Sequence, residues 1–115
     1  MKTKRPYLEH FIIEVFDIKF NIKKVEDIQD RLDKFISECK LSVVKEDAHN
    51  FSPFGFTKIY VLSESHIAFH SWPENNYLNI DLLSCKNLVD SDEILKIAKN
   101  IFDSENVLIK KVGYK

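Results

Sequence analysis

The chain has 115 residues, with 17 Lys plus Arg against 18 Asp plus Glu, 44% apolar residues, two Cys, three Pro and two Gly. That length fits one domain that buries a core without staples, and two cysteines make neither a disulfide framework nor a zinc cluster. Two glycines cannot build a phosphate-cradling loop, a formal charge of −1 offers no basic field for nucleic acid, and no apolar run suits a membrane span or secretory signal, so a soluble cytosolic domain is expected.

In chain order, the near-continuous apolar run within Leu8–Ile18 predicts a first strand. The period then changes. Val25, Ile28, Leu32, Phe35, Ile36 and Cys39 recur at three- and four-residue steps, which makes one apolar stripe on a helix over about Lys23–Lys40. Leu41–Val44 and Phe56–Leu62 are expected as strands, the latter with Thr57, Ile59 and Val61 on one face and Lys58 and Tyr60 on the other. Tyr77–Leu83 alternates again, with Leu78, Ile80 and Leu82 on one face. A second helix is expected from Asp90, capped with Glu93 three residues on, with Ile94, Leu95, Ala98, Ile101 and Phe102 as its stripe. Val107–Val112 closes the chain as a strand. This order predicts an α+β fold, a two-layer sandwich of a mainly antiparallel sheet with two helices on one face. The aromatic strand residues raise the prospect of a partner chain covering the other face.

Polar chemistry concentrates between His49 and Cys85. Three of the four histidines, two of the three prolines and one cysteine fall there, and a polar Ser63-Glu64-Ser65-His66 step interrupts strand-like sequence. Such a local conflict marks a functional or strained site. Taken singly, these residues have plain structural readings. Ser65 beside His66 suits a turn, and His70 and His10 suit satisfied strand histidines. Cys39 suits the helix core, and Trp72 and the Phe51, Phe54 and Phe56 group also suit core. Cys85 suits a small buried hydrophobe as well as a reactive thiol. His66 and His70 lie four apart on a strand, about 13 Å, which is too far to share an ion; no metal is expected.

Taken together, Glu64-Ser65-His66, His70-x-Trp72-Pro73-Glu74, Asp81 and Cys85 resemble the short prokaryotic, pyruvoyl-dependent S-adenosylmethionine decarboxylases. The resemblance is strong over about 35 residues, from Phe51 to Cys85, and elsewhere rests on element order and length. It implies a single-domain proenzyme over residues 1–115 that cleaves itself between Glu64 and Ser65, giving chains 1–64 and 65–115. The Ser65 hydroxyl would attack the Glu64 carbonyl, and elimination would leave a pyruvoyl group as the cofactor that forms a Schiff base with substrate. The resemblance assigns Thr57 as the hydroxyl that stabilises the cyclic intermediate, His70 as the processing base and Cys85 as the proton donor to product. It also assigns Phe51 to stack on adenine and Glu74 to take the ribose hydroxyls. The active sites of such enzymes lie between protomers, so a homodimer is implied.

The chain departs from the usual pattern at Ser71, where Thr is usual, and at Lys86, where Gly is common after the cysteine. The leading expectation is conversion of S-adenosylmethionine to its decarboxylated form plus CO2 for spermidine biosynthesis. Arginine or ornithine decarboxylation with the same machinery is one alternative, and an unprocessed, non-catalytic binding or partner subunit is another. Phe51 with Glu74 favours the nucleoside substrate, and Ser65, His70 and Cys85 together favour the enzyme.

Overall fold

The computed structural model describes residues 3–114. Six strands form one sheet: β1 Glu9–Val15, β2 Val43–Asn50, β3 Phe56–Leu62, β4 Ser65–Trp72, β5 Tyr77–Ser84 and β6 Val107–Lys111. Their spatial order is β2-β3-β4-β5-β1-β6, with each neighbouring pair antiparallel. Two helices, α1 Gln29–Glu38 and α2 Ser91–Ile101, pack on one face of the sheet. The expected two-layer α+β sandwich is the observed fold.

Alternation decides which side chains the helices cover. Ile13, Val15, Ile67, Phe69, Leu78, Ile80 and Leu82 are buried beneath Leu32, Phe35, Ile94, Ala98 and Ile101. Phe35 anchors this layer, edge-on to Phe69 at 5.9 Å and against Phe102 at 5.8 Å between ring centroids. Aromatic pairs at this spacing add to the free energy of area burial.

Three elements differ from expectation. The first helix is divided: a 3-10 turn covers Val25–Asp27, and Ile28, with φ −130, separates it from α1. The six-residue stripe is nevertheless buried throughout, Cys39 included, because the break falls between turns rather than across the face. The second strand starts at Val43 instead of Leu41 and continues to Asn50; its residues are all exposed, so its polar half carried no burial pattern to read. In α2, Ile97 is buried while Leu95 is only half-buried, which rotates the stripe slightly. Asp90 caps this helix by accepting from the Asp92 N–H at 3.3 Å.

Candidate active site

The site residues lie on and around the central hairpins. Ser63 and Glu64 form the turn between β3 and β4, and Ser65 opens β4 paired with Ser84 of β5. The Cys85 backbone N–H donates to the Glu64 carbonyl oxygen at 3.1 Å. The Glu64 carbonyl is therefore already held by a donor, a placement that suits stabilisation of an oxyanion developing on it. Lys86 Nζ lies 3.7 Å from the Glu64 carboxylate. Cys85 is exposed, which removes the reading of it as a buried hydrophobe.

A second cluster forms at the other end of the same hairpin. The β3–β4 register sets Thr57 opposite His70, and Thr57 Oγ1 lies 2.9 Å from His70 Nδ1. A cavity of about 280 Å³ opens there, lined among others by Phe51, Phe54, Thr57, His70, Trp72 and Glu74. Its aromatic walls are accessible: Phe51 is 51% exposed and Trp72 43%, so only Phe56 of the phenylalanine group is core. Glu74 sits on the exposed 3-10 turn Pro73–Asn75.

The loop that carries Phe51 is fixed by Gly55 and Asn50, which sequence reasoning did not single out. Gly55 adopts φ +99, a region costly for residues with a Cβ. Its carbonyl accepts from the Phe51 N–H at 2.7 Å, and its own N–H donates to the Lys23 carbonyl at 2.8 Å. The Asn50 side chain accepts from the Val25 N–H at 2.9 Å and donates to Glu26 at 2.8 Å, tying β2 to the first turn of the helical segment. Ser71 is buried and its Oγ accepts from the Phe56 N–H at 2.9 Å, so the hydroxyl at this variant position aligns β3 with β4. A glycine between two phenylalanines was the one signal available for this loop.

His10 and Asp81 belong to a different part of the uncovered face. His10 Nε2 is 2.6 Å from Asp81, and Nδ1 is 2.8 Å from the Tyr114 hydroxyl. Nearby, the Tyr77 hydroxyl donates to Glu14 at 2.7 Å, and burial, the largest cause, pushes its pKa up. No group of three or more His, Cys, Asp or Glu suited to a metal occurs among the described residues. No helix among them is long and apolar enough to cross a membrane.

The two clusters do not meet within one chain. Ser65 and His70 stand five residues apart on β4, which an extended strand spans as about 16 Å. One chain thus presents the Ser63–Glu64 turn with Cys85 at one end and the Thr57–His70 pair with the aromatic cavity at the other.

The profile described as S-adenosylmethionine decarboxylase matches residues 9–113. An S-adenosylmethionine decarboxylase proenzyme of Clostridium botulinum (strain Langeland) is 35% identical over 107 residues, covering 92% of this chain and 88% of that protein. One from Persephonella marina is 34% identical over 95 residues, covering 78% and 71% respectively. The crystal structure of the adenosylmethionine decarboxylase from Aquifex aeolicus superposes with a TM-score of 0.79 at 20% identity, over 95% of this chain and 91% of that one. In architecture the molecule is thus a two-layer α+β sandwich with the fold of that structure. The chain belongs to the S-adenosylmethionine decarboxylase family and is an enzyme of that class.

Proposed function

We propose that the chain is a self-cleaving proenzyme whose mature form, a cytosolic homodimer, decarboxylates S-adenosylmethionine for polyamine synthesis. The observation that carries this reading is the pair of half-sites on one hairpin, each holding residues that the other lacks. The exposed apolar residues Ile59, Val61 and Leu108 on the face the helices leave uncovered support closure by a second copy. A two-fold pairing of such faces with the two copies of β4 antiparallel sets the Ser65 end of one protomer against the His70 end of the other, and the same contact then repeats in reverse. Both sites are then completed together.

The local geometry fits processing at Glu64–Ser65. The Cys85 N–H orients the Glu64 carbonyl for attack by the Ser65 hydroxyl. In the completed site, the partner's Thr57–His70 pair supplies a hydroxyl to the cyclic intermediate and a base for the Ser65 α-proton. Thr57 also holds the His70 ring by its Nδ1, which leaves Nε2 for proton transfer. A pyruvoyl carbonyl supplies the electron sink for loss of CO2. The residues around it bind and orient. Phe51 offers a face to adenine, Glu74 accepts from the ribose diol, and Cys85 returns a proton to the product carbon. Phe51 and Glu74 beside one aromatic cavity favour a nucleoside over arginine or ornithine.

The test is CO2 release from carboxyl-labelled substrates. Label released from S-adenosylmethionine at least about a hundredfold faster than from arginine or ornithine is expected, since the latter lack groups for the stack and the diol contact. Equal or preferential release from a basic amino acid would overturn the substrate assignment.

A further inference from the structure

Beside the Ser63–Glu64 turn, on the α1 side of the hairpin, lies a cavity of about 220 Å³ that shares no lining residue with the aromatic cavity. Its lining includes Lys40, Ser63, Glu64, Ser84, Lys86 and Leu88. We propose that this cavity receives the carboxylate which self-cleavage leaves on Glu64, and that Lys86 is the positioning residue whose ammonium balances it. The proposal rests on the cleavage reading above and deepens it.

The chemistry states what charge appears and where. The Ser65 Oγ–C bond forms at the Glu64 carbonyl carbon, the C–N bond breaks, and the hydroxyl proton passes to the freed amine, giving an ester. Removal of the Ser65 α-proton then breaks the Cβ–O bond. Glu64 departs as a carboxylate that carries the former serine oxygen, and the dehydroalanine left behind takes up water and releases ammonia to become the pyruvoyl group. A full negative charge is therefore born on the Glu64 main chain during the elimination.

The surroundings match that charge. Before cleavage the cavity holds two cations, Lys40 and Lys86, and one anion, the Glu64 side chain, an excess of one positive charge. The new carboxylate brings it to zero. Lys86 is the closer cation on two observations: its Nζ is already 3.7 Å from Glu64 Oε1, and it directly follows Cys85, whose N–H holds the Glu64 carbonyl oxygen at 3.1 Å. Its backbone is pinned as well, with the Lys86 N–H donating to Ser84 Oγ at 3.0 Å and Ser84 Oγ donating to the Lys86 carbonyl at 3.2 Å. The existing ion pair is too exposed to matter much for stability, with side chains 60% and 44% accessible, so the lysine's value lies in the anion it gains.

The measurement follows cleavage of the full chain from synthesis in a cell-free mixture, read by intact mass, for wild type, Lys86→Met and Lys86→Arg. Met keeps the length without the charge; Arg keeps the charge. Cleavage slowed about fivefold in Lys86→Met and restored in Lys86→Arg is expected. Raising the salt should slow wild type toward the Met rate and leave Lys86→Met unchanged, because screening acts on an exposed charge. Wild-type rates in Lys86→Met, or an Arg variant as slow as Met, would overturn the role of the charge while leaving cleavage intact. A wild-type chain that never splits between Glu64 and Ser65 would overturn the cleavage reading itself, and this proposal with it.

Discussion

Cys39 and Cys85 have the same chemistry and opposite surroundings. Cys39 ends α1 with 2% of its surface exposed, and burial pushes its thiol pKa up to about 12, with Glu38 and Glu93 adding to the shift. The folded chain keeps this thiol neutral, whereas in the unfolded chain it ionises from about pH 9. Its contribution to stability is therefore complete below pH 9 and is lost as pH rises from there through about 12. Urea unfolding at pH 8 and pH 10.5 should show a smaller loss of stability over that interval in Cys39→Ala than in wild type. An equal loss would mean that Cys39 is not the group responsible. This role was legible because Cys39 falls on a helical stripe. Cys85 stands where a strand ends, with no period to read, so its exposure came only from the fold.

At the scale of elements, periodicity named most of the layers but not which side of a strand faces in. On β3 the set Thr57, Ile59 and Val61 is more apolar than Lys58 and Tyr60, yet Lys58 and Tyr60 are buried. They share their face with Phe56 and Leu62, which sit at the strand ends and decide the matter. Lys58 then pairs with Glu46 at 2.6 Å, and the Tyr60 hydroxyl donates to Asp33 at 2.8 Å. This inversion is what leaves Thr57 on the uncovered face beside His70. The core's dependence on α1 can be measured directly. Phe35→Ala removes a fully buried ring that touches both Phe69 and Phe102, and should cost about 3–5 kcal/mol in denaturant unfolding. A cost below about 1 kcal/mol would mean that the helix layer is not packed as described.

At the scale of the molecule, the sequence brought the site residues into one segment, whereas the fold separates them. Ser65, Cys85 and Lys86 gather at one end of a hairpin, while Phe51, Thr57, His70 and Glu74 gather at the other. Linear spacing could not reveal this, since it depends on the β3–β4 and β4–β5 registers. In the proposed homodimer two inverted copies reunite the halves, and that is the central claim. It is tested by mixing two inactive chains, Ser65→Ala and His70→Ala, under conditions that let protomers exchange, and reading cleavage by intact mass. Each variant alone should stay at its uncleaved mass, the first for want of the nucleophile and the second for want of the base that completes elimination. In an equal mixture about half of the His70→Ala chains meet a Ser65→Ala partner whose His70 is intact. Those chains are predicted to split into a 64-residue piece and a piece of 51 residues (115 − 64). A mixture that remains whole, beside a wild-type control that splits, would contradict a site shared between two copies.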